Sequence, residues 1–221
     1  MTSLQYHSTD AQFAAARDHT LNQLQIEAAN SSVSLPPQYG FSFEAERTLV
    51  KFAPSGLSGL AQQLGEVKTI CEIFYAAKVN SLDDIRRVRV SSDDANGSQS
   101  DYLDQKAVTN QLAVFIPYEV TFRGFSPDLA KVLASLASSS HGFIVKGINV
   151  QTATGASNVS SPPGAQPFGG GGQSSSFAPA AQWSPTVSSP AAGGGGLQTV
   201  LNEQLLSITL DIDIVKLLPG N

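Results

Sequence analysis

Chemistry in this chain has few residues to start from: one cysteine, Cys71, and three histidines, His7, His19 and His141. A nucleophilic thiolate needs a nearby base and an exposed, electropositive setting, and His141 is the one conceivable partner. Yet Cys71 shares a helical stripe with Leu64, Val67 and Phe74, which predicts a packed core thiol. The histidines lie far apart without paired ligand spacing, so no metal site is expected. Asp211 and Asp213 project both carboxylates from one strand face, as paired acids sometimes do. Any strand with one wet face gives the same spacing, and that is the reading adopted.

Other motifs dissolve in the same way. In Asp93-Asp94-Ala95-Asn96-Gly97 the glycine falls at the wrong offset for a calcium loop, and no glutamate closes it. The glycine runs at 169–172 and 193–196 lack the Lys-Ser/Thr that follows a phosphate-binding loop. Phe115, Tyr118 and Phe122 on a strand invite comparison with base-stacking RNA domains. A net charge of -5 with only 14% charged residues opposes any nucleic-acid partner. No cofactor is expected. A hydrolase using Cys71 or the aspartate pair, and a domain binding a small ligand, stand behind a non-catalytic interaction module.

The elements that would position these residues read clearly in places. Residues 10–29 lack Gly and Pro, and Phe13, Leu21, Leu24 and Ala28 recur at helical spacing behind an Asp10 cap. Their apolar stripe is thin. Pro36, Pro37 and Gly40 then mark a connector. Leu57, Leu60, Leu64, Val67, Cys71 and Phe74 form one stripe of a helix over 58–77, suited to packing on a sheet. Residues 84–90 alternate Val88 and Val90 against Arg87 and Arg89, as a half-buried edge strand does. An acidic loop follows over 91–110. A strand over 113–123 carries Val114, Ile116, Tyr118, Val120 and Phe122 on one face, with a bulge expected at Pro117 or full pairing only beyond it. Ser126-Pro127-Asp128 starts a second helix, with Ser126 as its cap and Leu129, Val132, Leu133 and Leu136 as its core face. A strand over 142–150 follows, with Ile144, Ile148 and Val150 on one side. The final strand sets Leu206, Ile208, Leu210, Ile212 and Ile214 against Ser207, Thr209, Asp211 and Asp213.

The order αββαββ after a leading helix predicts an α+β fold, a circularly permuted ferredoxin-like unit. Its four-stranded antiparallel sheet would carry two helices on one face. Residues 1–43 are expected to be the N-terminal helix and connector, and 44–151 with 203–218 the ferredoxin-like domain. Residues 152–202, rich in Gly, Ser, Pro and Ala, are expected to be a disordered insertion.

The layout resembles the PilO-like family of type IV pilus biogenesis proteins, and most nearly the pilus-associated outer-membrane proteins of mucin-degrading gut bacteria. The resemblance rests on Leu57-Ser58-Gly59-Leu60 through Phe74, on Ile116-Pro117-Tyr118-Glu119-Val120-Thr121-Phe122-Arg123-Gly124, on 143–150 with the insertion after it, and on 205–215. It implies a scaffold at the periplasmic face or outer membrane of a bacterial envelope. Such a scaffold self-associates and pairs with sister inner-membrane assembly proteins of a pilus or type II secretion-like machine. A membrane tether, usual in that family, is expected to be missing from this chain. The expected interface residues are Phe13, Leu21 and Leu24 on the leading helix, and Val88 and Val145 on two edge strands.

Overall fold

The computed structural model describes residues 9–153 and 203–218. From residue 154 on, the expected insertion lies outside the described residues. Helix α1 spans Asp10–Asn30. Its cap is Thr9, not Asp10: the hydroxyl accepts from the Gln12 amide at 3.3 Å and Gln12 Oε1 accepts from the Thr9 amide at 2.9 Å. Two otherwise orphaned donors are satisfied reciprocally. A connector with the short helix α2, Glu44–Arg47, leads to α3, Leu57–Ala77. The other helix, α4, is Ser126–Ser138. It starts one residue earlier than expected, with Phe125 as cap and its amide donating to Asp128 at 3.1 Å.

The strands are β1 Ser81–Val88, β2 Tyr102–Leu103, β3 Val108–Thr109, β4 Ala113–Gly124, β5 Gly142–Thr152 and β6 Leu206–Leu217. They form one six-stranded sheet in the order β2-β1-β4-β6-β5, with β3 added beside β4. The protein is a mixed α+β fold. The long strands pair antiparallel, and β4 and β6 are central, with unbroken register from Ala113↔Leu217 to Gly124↔Leu206. No bulge occurs there at Pro117; on its other side the strand pairs with β1 only from Tyr118 on, the alternative expected of a strand proline. The proline lies between the last β1 partner, Tyr118, and the first β3 partner, Phe115, where a missing donor interrupts no ladder.

One sheet face is apolar: Leu82, Ile85, Val120, Phe122, Ile208, Leu210 and Ile212 are all buried beneath the helices. From α3, Phe74 meets Phe122 edge to face at 5.0 Å, and Val132 and Leu136 of α4 join the same core. Burying each such side chain contributes about 1.5–3 kcal/mol.

Three expectations change here. The stripe of α1 is not a free surface, because Phe13, Leu21 and Leu24 are 2%, 5% and 0% exposed and sit in the core that α1 shares with α3. Strand β1 is not an edge: β2 pairs parallel with it at Arg87↔Tyr102 and Val88↔Leu103, and Val88 is buried. Strand β5 carries a bulge between Val145 and Gly147. The extra residue, Lys146, flips the side-chain phase. Ile144 opposite Asp213 therefore faces away from the helices, while Ile148 and Val150 opposite Leu210 and Ile208 face toward them.

Candidate functional site

The chemistry in the described residues concentrates at Arg87. Alternation places it on the helix face of β1, opposite Tyr118, and it is 0% exposed. A buried guanidinium must be paired and hydrogen-bonded to be tolerated. Its Nε donates to the Ser42 carbonyl at 2.9 Å and Nη1 to Gln63 Oε1 at 2.8 Å. Its Nη2 reaches Glu46 Oε1 at 3.2 Å and Asp94 Oδ1 at 2.7 Å. The guanidinium carbon stands 4.4 Å from the Phe43 ring centre and 5.0 Å from that of Tyr102, so cation–π attraction covers the planar faces.

Each partner comes from a different element. Gln63 lies on α3 and passes the chain of bonds on to the Val88 carbonyl at 2.9 Å. Asp94 lies in a 3-10 turn, Ser92–Asn96, and its other oxygen accepts from the Val90 and Ser91 amides at 2.7 and 2.8 Å. Glu46 lies on α2, and Arg17 of α1 grips the Glu46 and Arg47 carbonyls of that helix and the Leu49 carbonyl just past it. Phe41 and Ser42 hold left-handed backbone with φ of 52° and 63°, a strained state for residues with side chains. The Ser42 hydroxyl donates to the Ile85 carbonyl and its own carbonyl accepts from Arg87, which hold it there.

The two carboxylates are not equivalent. Burial pushes Glu46 up to about 7, and its hydrogen bond toward Asp94 adds to this against the pull of Arg87. Burial also pushes on Asp94, but the hydrogen bond from Glu46 and the Arg87 charge hold it below the ordinary range.

The residues singled out from sequence end up elsewhere. Cys71 is 0% exposed on α3, and burial drives its thiol far up; His141 is exposed before β5. The two do not form a dyad. Asp211 and Asp213 do share the open sheet face; Lys146 pairs with Asp213 at 3.3 Å. Asp211 faces Glu119 across the strands. Val145 is half-buried on β5 opposite Ile212. Among the described residues no group of three or more potential metal ligands occurs, and no helix is long and apolar enough to cross a membrane.

The sheet edges differ sharply. Along β1, the Ser34 carbonyl accepts from Leu82 at 3.0 Å, the Ser42 hydroxyl takes the Ile85 carbonyl, and β2 pairs with Arg87 and Val88. At the other end of the strand order, β5 pairs with β6 on one side, and no described strand lies on the other.

The model of the pilus-like family matches residues 3–220. The chain belongs to the pilus-like family. A crystal structure of an Akkermansia muciniphila protein is similar at TM-score 0.60 and 9% identity, over 97% of this pilus-like chain and 80% of that one. A second structure from the same organism, solved without its transmembrane region, gives TM-score 0.60 and 9% identity over 97% and 88%. At that identity the likeness is one of fold. The type 4 fimbrial biogenesis protein PilO from Pseudomonas aeruginosa overlaps more loosely, at TM-score 0.36 and 9% identity over 80% and 96%, too little to establish a shared fold. No curated protein matches the pilus-like sequence.

Proposed function

We propose that the chain is a non-catalytic assembly module of a type IV pilus-related or type II secretion-like envelope apparatus. In this reading it joins a second copy or a sister protein by adding a strand at β5. Membership of the pilus-like family supports the envelope setting. The unit α3–β1–β4–α4–β5–β6 reads as a circularly permuted ferredoxin-like fold with two helices on one face, which the strand order β1-β4-β6-β5 supports. Packing accounts for Cys71; Asp211 is exposed on the strand face, and the buried Asp213 is paired with Lys146.

The asymmetry of the two edges carries the reading. Proteins normally guard exposed strand edges, most often with lysine, proline or a bulge. On β5 the bulge guards only the point between Val145 and Gly147, and it turns Lys146 toward Asp213 on the open face, at 3.3 Å, away from the edge. Ile144, Ile148 and Val150 remain 45%, 47% and 46% exposed along the strand. A long strand whose outer edge meets no described strand, with half-exposed aliphatic side chains, suits β-augmentation.

Light scattering tests it. Ile148→Lys and Val150→Lys, which touch the edge without entering the core, are expected to weaken self-association or capture of a sister domain. Asp211→Ala on the open face should not. An Asp211→Ala protein that dissociates while both lysine variants stay associated would place the interface on the open face instead.

A further inference from the structure

We infer that the Glu46–Arg87–Asp94 cluster is a proton-binding clasp: it holds one proton between its carboxyl groups, and losing that proton releases α2 and the connector from the β1 edge. Charge arithmetic on fully buried groups carries this. Glu46 and Asp94 are both 0% exposed and meet at the same nitrogen, Nη2 of Arg87, so one cation faces two carboxyl groups. An uncompensated charge at such depth costs more than protonation does.

The geometry says which group takes the proton. Asp94 accepts three hydrogen bonds, from Arg87, Val90 and Ser91. Among the described residues Glu46 receives only the longer Arg87 contact at 3.2 Å, and its buried Oε2 has no donor directed at it. A proton on Glu46 turns its carboxyl from an acceptor into a donor toward Asp94. Burial raises Glu46 to about 7, in agreement.

The other groups facing the site do not supply the missing charge. Arg17 of α1 binds backbone carbonyls of α2 and pairs with Asp18. Arg47 pairs with Glu44 at the surface. Asp93 accepts from the Ala53 amide and the Ser91 hydroxyl. Gln63 of α3, Ser42 of the connector and Tyr102 of β2 are neutral, and Arg89 lies 4.6 Å from the Tyr102 ring centre. When the proton leaves, the group free to move is therefore Glu46, on a helix of four residues.

The sign follows from linkage. Glu46 binds its proton more tightly folded than unfolded, so its contribution is complete below its ordinary value of 4.5 and is lost as pH rises through about 7. Asp84 acts in the same direction, because burial and then Asp101 raise it to about 6. The unfolding constant of the wild type should thus rise with pH across that window, by up to about tenfold per pH unit for each of the two groups. Glu46→Gln, a neutral isostere, should remove the Glu46 part, which is most of the slope only above about pH 6, where Asp84 has already lost its proton. Asp84→Asn should leave the Glu46 part. Above about pH 7, connector amides near Glu46 should exchange hydrogen faster than base catalysis explains.

A Glu46→Gln protein whose stability tracks the wild type across that range overturns the clasp. Should that variant not fold, infrared spectroscopy of the Asp84→Asn protein decides. A protonated-carboxyl band at about pH 6 that vanishes by about pH 9 supports the clasp, and no band at the lower pH refutes it.

Discussion

Tyr118 on β4 donates its phenol to Glu66 Oε2 on α3 across 2.5 Å, tying the centre of the sheet to the helix above it. Tyr118 is 1% exposed and Glu66 7%. Glu66 also accepts from Gln62 at 3.0 Å and pairs with Lys216 of β6 at 2.6 Å, so it keeps partners when the phenol is lost. Tyr118→Phe is therefore expected to cost about 1.5–3 kcal/mol, the range for a hydrogen bond to a charged group. Glu66→Leu should cost more, since it leaves the buried phenol without an acceptor. Urea unfolding of the two variants checks the order.

Arg87 should be far less replaceable than its neighbours on β1. Methionine there matches the bulk but leaves Glu46 and Asp94 buried without a cation, and breaking one side of such a cluster costs about 3–5 kcal/mol. Arg86→Met, on the open face, loses a 2.8 Å pair with Glu119 that is 31% and 25% exposed. That pair is expected to contribute about 1 kcal/mol or less. Comparable losses in urea midpoint for the two variants would contradict the burial of Arg87.

These two residues also show what the sequence could and could not reveal. Arg87 and Arg89 read as the wet side of an alternating strand, and nothing local says that Arg87 turns inward. Its partners Glu46 and Gln63 lie 41 and 24 residues away, so the compensation is visible only in three dimensions. Arg17 hid the place of α1 in the same way, being a charge within a thin apolar stripe that is 2% exposed and satisfied by α2 carbonyls. By contrast, Leu60, Leu64, Val67, Cys71 and Phe74 on α3, and the alternation of β4 and β6, were legible because burial imposes its period directly on neighbouring residues. The bulge at Lys146 was not, because one extra residue reverses the phase without a distinctive composition.

Cys71 offers a direct check on the core. With the thiol 0% exposed and its ionisation suppressed by burial, a thiolate-seeking reagent should fail to label the native protein and should label it on unfolding. Cys71→Ser should cost about 1–2 kcal/mol and leave assembly unchanged. Rapid labelling of the folded chain would mean that α3 does not lie where its stripe is buried.

The bulge in β5 makes a prediction about two side chains that touch no core. A Cβ on Gly147 would come within 2.5 Å of Asp211 Oδ2, with the Asp211 Cγ next at 3.4 Å. The obstacle is the far end of a side chain on an open face, not backbone. Gly147→Ala should therefore destabilise modestly, by about 1 kcal/mol, as the carboxylate is pushed aside. Asp211→Ala alone should be nearly neutral, as surface substitutions usually are. If the register Gly147↔Asp211 is right, removing the carboxylate first makes room for the methyl group. The double variant should then match Asp211→Ala in stability, with the coupling read from a double-mutant cycle. Simple additivity would show that Gly147 does not lie opposite Asp211, and with that register would go the placement of Lys146 on the open face and of Ile148 and Val150 on the helix face.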